Sequence, residues 1–370
     1  MIPVVISDTG ITKTISKDDT SWYNYKKKQW ANVVLVNSSS RSKYLNTSGV
    51  TISEDDIFAY YVWIPRYKYK IWSADVSNKN GKEQEIEIVF ENKNDPKILG
   101  TKVGEYRTHP AFTFGSDELN GIWVGKFETT GTADTPTIKP NVQSLGSQKI
   151  SAQFTTAQKL GTSTYGSTSK VDAHMMKNSE WGAVAYLSHS KYGTNKEIRI
   201  NNYYKSGFLT GCGANTENES KSNTCGIIYG KAISYPQSTT GNITGIFDMS
   251  GGAWENVMGY YSGASTTWGA DADGNHAGFS SKPASKYFDN YTTTNPLTAC
   301  NGGICYGHGL SEVNNWYGDY ASFVDAALPW FVRGGSSING ANAGAFHFDS
   351  GNGNGHDNGS FRVVLSPIGA

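Results

Sequence analysis

Short apolar runs separated by polar turns set the rhythm of the first 57 residues. Residues 2–6 (IPVVI) and 33–36 (VVLV) are long enough for strands and too short for helices. From Phe58 the pattern changes. FAYYVWIPRYKYKIW, residues 58–72, is dense in aromatic and β-branched residues, and Trp63, Arg66, Lys68 and Lys70 give it a partial alternation. It predicts one long strand. Further strands are predicted over residues 85–90 and 122–127, and two segments read as helices. The first, 151–160, is short. The second, AHMMKNSEWGAVAYLSHS at 173–190, has Asp172 placed to cap it and Met176, Trp181, Ala185 and Leu187 to face a core. Beyond Ser190 the chain reads as loops and short strands down to SFRVVLS at 360–366. No fixed period recurs, so the expectation is one irregular, loop-rich α+β domain over 58–370, behind an N-terminal strand and linker segment over 1–57.

Composition narrows the function. Of 370 residues only 17% are charged while 13% are aromatic, with 22 Tyr, 10 Trp and 42 Gly. Short strands, many turns and amphipathic aromatics at a surface give that profile, which suits a binding module. Lys plus Arg (32) balance Asp plus Glu (32), so no net field attracts a polyanion, and nucleic acid is not the expected partner. Cys212 and Cys225 bracket one polar loop, and Cys300 and Cys305 bracket NGGI. Each pair is placed to staple a loop in an oxidising compartment, the alternative being four free thiols. No apolar run approaches the ~18 residues of a membrane span. The chain opens on strand-like IPVVIS without the order of a secretory signal. It is therefore expected to be part of a longer product whose export signal or anchor lies outside it.

Catalytic constellations are missing. The histidines at 109, 174, 189, 276, 308, 347 and 356 are scattered, with no HExxH, no CxxC, no GxSxG and no phosphate-binding Gly-rich loop. His308 in CYGHGLSE stands near Cys305, but a histidine in a Gly-rich turn reads as a hydrogen-bonding residue, and an oxidised cysteine is no nucleophile. DADGN at 271–275 opens like a calcium loop and lacks both the DxDxDG register and a closing Glu, so it reads as a solvated turn. No cofactor is expected, a structural calcium elsewhere being the alternative, and no catalytic or metal-binding residue is assigned.

Two segments carry a specific pattern: GIFDMSGGAWENVMGYY at 245–261, and PWFVRGGSSINGANAGAFHFDSGNGNGHDNGSFRVVLS at 329–366. In order, they resemble the G-hydrophobic-aromatic-D-M-x-G-N-x-W-E-W stretch and the R-G-G-S…G-F-R ending of the formylglycine-generating-enzyme group. AHMMKNSEWGAVAYL is similar to that group's L-P-T-E-A-E-W-E-Y-A helix, with Glu180 and Trp181 on the matching positions. The resemblance runs over about residues 170 to 366 and implies a divergent C-type lectin-like fold, loop-rich with short antiparallel strands and two helices. It makes Trp181 and Trp254 core anchors and has Arg333 and Arg362 bind buried backbone or carboxylate groups. The departures count against the enzymes: no cysteine follows Arg333, Gly252 stands for the usual Asn, and Asn256 stands for the second Trp.

YYVWIPRYKYKIW, the 174–193 stretch and the RGGS…SFRVVL ending also resemble phage-tail, prophage and pilin-associated surface proteins and the variable proteins of diversity-generating retroelements. In the latter, template Asn codons scatter to NNY codons, which never encode Lys, Glu, Gln, Met or Trp. Every residue from Ser336 to Ser360 is Ser, Ile, Asn, Gly, Ala, Phe, His or Asp, compatible with such diversification and equally with an ordinary Gly/Asn-rich loop. The resemblance implies a surface-displayed, adhesin-like receptor-binding protein, extracellular, on a cell or a virion, whose partner is a protein or glycan on a cell surface. Its ligand-binding candidates are Ser337, Asn339, Asn342, His347, Asp349, Ser350, Asn352, Asn354, His356, Asp357 and Asn358, with Ala343, Ala345, Phe346 and Phe348 as anchors. The rival readings are a structural phage-tail or pilus subunit without a variable site and, opposed by the missing cysteines, a formylglycine-type enzyme.

Overall fold

The computed structural model describes residues 1–71, 83–101, 104–204, 208–216, 219, 221–275 and 277–368. Trp72 and His276 lie outside them. Among the described residues the chain is mostly sheet, with helices at Arg41–Tyr44 (α1), Ile150–Lys159 (α2) and Asn178–Ser188 (α3) and short 3-10 turns between strands.

The larger sheet is built from Ile2–Ile6 (β1), Thr12–Thr14 (β2), Asn32–Val36 (β3), Ile57–Pro65 (β4), Gly121–Gly125 (β5), Val171–Met175 (β6) and Val363–Pro367 (β12). Its spatial order is β6-β12-β5-β4-β3-β1-β2, with every neighbouring pair antiparallel. A second sheet holds Trp254–Tyr261 (β7), Asp289–Tyr291 (β8), Trp330–Arg333 (β9), Phe348–Gly351 (β10) and Gly359–Phe361 (β11). Here β9 is antiparallel to β7 and β10, whereas β8 and β11 pair with β7 in parallel. The strand pattern expected to be antiparallel is thus mixed in this sheet.

The expected boundary at residue 57 runs through a continuous sheet, because β1 to β3 pair on to β4. A buried ammonium fastens the same region from the other side. Lys126 donates to Asn32 Oδ1 (2.9 Å) and to the carbonyls of Ile243 and Gly245 (2.7 Å each), which uses all three of its protons. Burial drives its pKa well down, and the three acceptors offset part of the cost of burying the group.

The predicted long strand over 58–72 and the terminal 360–366 run are each divided by an arginine. The 58–72 run is two strands, β4 and Tyr67–Lys70, and the second pairs with Glu87–Phe90 and Arg107–Thr108 in a separate sheet. Arg66, buried between them, donates to Glu118 (2.8 Å) and to the Phe112 carbonyl (3.3 Å). The 360–366 run likewise splits into β11 and β12 at the buried Arg362. Its guanidinium forks onto the Glu255 carboxylate, with Nε to Oε2 at 3.0 Å and Nη2 to Oε1, and reaches the carbonyls of Gly125 (2.9 Å) and Phe247 (3.1 Å). At a sheet crossing the ladder is interrupted and carbonyls fall free, and a planar five-donor fork collects them.

The expected helix over 173–190 begins later. Residues 171–175 are β6, drawn into the sheet by the open edge of β12, and Asp172 receives Lys286 (3.0 Å) and Tyr287 (2.9 Å) instead of capping a helix. The helix starts at Asn178, where Glu180 Oε2 accepts the Lys177 N–H at 2.9 Å. Met176, Trp181, Ala185 and Leu187 are all buried as expected. Trp254, expected as a core anchor, is half-buried at the first position of β7, where its N–H pairs with the Asn358 carbonyl at 2.8 Å. Both disulfides, Cys212–Cys225 and Cys300–Cys305, are formed. Among the described residues no helix is long and apolar enough to cross a membrane.

Replacing Arg362 by Ala leaves the Glu255 carboxylate buried without its partner. Urea denaturation is expected to show a loss of about 3–5 kcal/mol. A loss below about 1 kcal/mol would mean that the crossing does not depend on this pair.

Candidate functional site

The segment expected to bind leaves β9 through Gly334 (φ +80°) and Gly335 (φ +70°), two left-handed positions in succession. This turn sends Ser336 and Ser337 inward. Both are buried, and the Ser337 N–H pairs with the Gly252 carbonyl (2.8 Å). Ser337 is therefore not on the surface, contrary to the sequence reading. Asn339 is partly exposed, but its Oδ1 accepts from the Ser336 N–H (2.7 Å) and hydroxyl (3.0 Å) and closes the turn. Ile338, between them, is 48% exposed.

Past the 3-10 turn Gly340–Asn342 the chain dips into the core. Ala343, Ala345, Phe346 and Phe348 are buried as expected. His347 is buried with them, a second correction to the binding list. Its Nδ1 donates to the Asn342 carbonyl (2.7 Å), and burial lowers its pKa to about 4, so the ring is neutral. Asp319 receives the Phe346 N–H (2.8 Å) from beneath, and burial raises that carboxyl to about 8.

The remaining candidates sit at or near solvent. Asn342, His356 and Asp357 are exposed, whereas Asp349, Ser350, Asn352, Asn354 and Asn358 are half-buried. Asp349 and Ser350 lie on β10, and Asn352 Oδ1 accepts the Asn354 N–H (3.1 Å) to shape the following turn. The turn 354–358 is tied down by its backbone. The His356 carbonyl accepts from Ser147 N–H and the Asn358 carbonyl from Trp254 N–H, both at 2.8 Å. The His356 and Asp357 side chains are left to solvent.

These residues do not form one patch. Asp357 and Asn358 meet Ser336 and Ile338 across a groove of about 580 Å³ whose far wall is Gln143, Ser147, Tyr204 and Phe208. Asn342 and the β10 pair Asp349 and Ser350 do not line it. Sequence reasoning missed the far wall. The signal was the paired Tyr203–Tyr204 in a polar stretch, two large side chains with no apolar period to bury them.

Beneath the groove lies a buried acidic cluster. Glu128 Oε1 accepts the Ala253 N–H (2.9 Å) and Oε2 the hydroxyl of Ser144, a groove-lining residue. Asp248 accepts Asn201 Nδ2 (2.9 Å) and the Gly211 N–H (2.9 Å). Glu255 is held by Arg362. Gly252, noted in the sequence as a departure from Asn, is explained here. Its φ is +74°, and a Cβ would stand 2.4 Å from Glu128 Oε1. Burial raises all three carboxyls, Asp248 to about 6 and Glu255 to about 7. Glu128 is pushed well up by burial and by the charges of Asp248 and Glu255.

In two other sites considered in the sequence, the side chains are engaged within the protein. The sulfurs of Cys300 and Cys305 and a His308 ring nitrogen lie within 4.8 Å of one another, but both sulfurs are in the disulfide. His308 Nδ1 meets the Tyr291 hydroxyl at 2.7 Å. In DADGN, Asp271 Oδ1 accepts the N–H groups of Asp273 (3.0 Å) and Asn275 (2.9 Å), so the carboxylate folds its own turn.

No family model matches the chain, and no curated protein matches it. Among solved structures it is similar to the Major Tropism Determinant U1 variant, at 12% identity and a TM-score of 0.32, over 87% of this chain and 67% of that one. The M1 variant gives 13% and 0.32 over 88% and 68%. Treponema denticola variable protein 1 gives 10% and 0.24 over 92% and 96%. TM-scores this low establish no shared fold.

Two outcomes follow from the burial pattern and the acid cluster. Phe346→Ala is expected to cost about 3–5 kcal/mol in a denaturant melt, whereas the triple change of His356, Asp357 and Asn358 to Ala stays within about 0.5 kcal/mol per position; the reverse ranking would invert the assignment of inside and outside. For Glu128 the folded pKa lies above the unfolded value, so its contribution is complete below about pH 4.3 and is lost as pH rises through the folded pKa. The stability of Glu128→Gln relative to the unchanged protein should therefore improve steadily from pH 5 to pH 8. A difference independent of pH would show Glu128 ionised in the fold.

Proposed function

We propose that this chain is a surface-displayed ligand-binding protein of C-type-lectin-like build, not a catalyst, and that it binds through the exposed part of residues 336–358 and the adjoining groove. One observation carries this reading: from residue 343 to 358 the apolar side chains are buried and, His347 apart, the polar ones reach solvent, while the backbone is fixed from within. Ala343, Ala345, Phe346 and Phe348 are buried, and His356, Asp357 and Asn358 stand on a turn held by main-chain hydrogen bonds. Side chains on such a turn can be exchanged without repacking the core, which is what a face diversified by a retroelement requires. The disulfides favour an oxidising location, outside a cell or on a virion. The receptor in this reading is a protein or glycan on a cell surface.

The test uses intact cells. Labelled protein is applied to a panel of microbial and mammalian cells, and binding is read by flow cytometry beside the triple alanine variant of His356, Asp357 and Asn358. At least one cell type is expected to be labelled, with the variant losing most of the signal at an unchanged melting temperature. Full binding by the folded variant would place the site elsewhere. Labelling of no cell would favour a structural subunit.

A further inference from the structure

We propose that Cys300, Cys305 and His308 form a site for a zinc-type divalent cation once their disulfide is reduced. The loop they share is then closed by an S–S bond in an oxidising medium and by a metal in a thiol-containing one. The inference stands apart from the ligand-binding role above.

Ligand type and spacing come first. The two sulfurs and one imidazole nitrogen lie within 4.8 Å of one another. Ligands held ~2.0–2.3 Å from a tetrahedral zinc ion stand about 3.5–3.8 Å apart, so small side-chain rotations suffice. Two thiolates and a neutral imidazole suit zinc ahead of magnesium or calcium, which take oxygen ligands. The thiolates also balance the charge of a divalent cation. The complex therefore adds no net charge beside Arg333, whose guanidinium donates to the His308 carbonyl at 3.0 Å. Three protein ligands leave the fourth position to water.

The backbone holds this arrangement without the disulfide. Cys300 and Gly303 exchange main-chain hydrogen bonds, at 3.0 and 2.9 Å, across Asn301 (φ +50°) and Gly302 (φ +81°). Asn-Gly with both residues left-handed is a preferred two-residue hairpin turn, so the turn is set by its own residues. The Cys300–Cys305 bond spans a sequence separation of 5, against 13 for Cys212–Cys225, and its reduction frees less chain entropy.

The imidazole is oriented as well. Its Nδ1 lies 2.7 Å from the Tyr291 hydroxyl and 3.8 Å from Asp289 Oδ2, both on β8. The tyrosine oxygen has two lone pairs, one taken by Asn178 Nδ2 (2.9 Å) and one open to an Nδ1–H. Nε2 is left as the ligand atom, with acceptor oxygens behind the ring as in other metal-bound histidines. Cys305 and His308 are buried and Cys300 is half-buried, so the reductant and then the cation approach from the Cys300 side. Reduction consumes two equivalents of a low-molecular-weight thiol, which supply two electrons and two protons and leave as their own disulfide. The S–S bond becomes two thiols, and the cation displaces both thiol protons.

The experiment reduces the full chain with a dithiol, desalts it without air and titrates it with Zn²⁺ or Co²⁺ beside the oxidised chain. The reduced chain is expected to bind one ion and to give the spectrum of tetrahedral cobalt thiolate, while the oxidised chain binds none. Zinc should protect Cys300 and Cys305 from iodoacetamide, mapped by mass spectrometry, and leave Cys212 and Cys225 reactive. The double variant Cys212→Ser, Cys225→Ser should keep the site, and His308→Gln should weaken it about tenfold or more. Should His308→Gln fail to fold, the protection pattern of the unchanged chain decides. Equal binding by both redox forms, no binding at all, protection that falls on Cys212 and Cys225, or full affinity in a folded His308→Gln overturns the proposal. So does a chain that loses its near-ultraviolet circular dichroism on reduction and does not regain it with one equivalent of zinc.

Discussion

The fork of Arg362 onto Glu255 is the contact on which the two sheets depend. The chain leaves the second sheet at β11 and enters the first at β12 with one residue between them, and that residue is Arg362. Its guanidinium takes the carboxylate from β7 and carbonyls from Gly125, at the end of β5, and from Phe247. A charge this deep is tolerated only because nearly every donor has an acceptor, two of them on an anion. Glu128 and Asp248 crowd the same place. Burial raises the pKa of both carboxyls, which disfavours a build-up of negative charge there.

From this junction the groove inherits its shape. Glu128 holds the 252–254 turn through the Ala253 N–H and the 143–147 loop through Ser144. The turn in turn pairs with Ser337 and with Asn358. The Ser144 loop and the turn that holds Ser337 and Asn358 thus both hang from one buried carboxyl. Preorganisation of this kind reduces the ordering cost of binding.

How much of this the sequence disclosed depends on whether the deciding interaction was local. Helix α2 was legible because its start and length follow from nearby residues, and it lies one residue from its expected bounds. The start of α3 was not, since residues 171–175 are claimed by a strand almost two hundred positions away. Arg66 and Arg362 were visible as charges inside apolar runs, yet only the fold shows that each marks a change of sheet. In the candidate site, Phe346 and Phe348 were legible as anchors by their type. Ser337 and His347 were misplaced because small or polar type says nothing of a buried turn steered by Gly334 and Gly335. Tyr204 and Gln143 were missed because they come from loops with no periodicity, brought in by contacts remote in the chain.

The place of β12 in the larger sheet also bears on how this protein comes to be folded. It lies between β5 and β6, two strands made far earlier, and pairs with both. Until residues 363–367 have left the ribosome, the sheet carries an unfilled slot one strand in from its β6 edge, and the facing edges of β5 and β6 stay open. Folding therefore cannot proceed step by step behind synthesis; closure is a late, long-range event of the kind that makes folding slow.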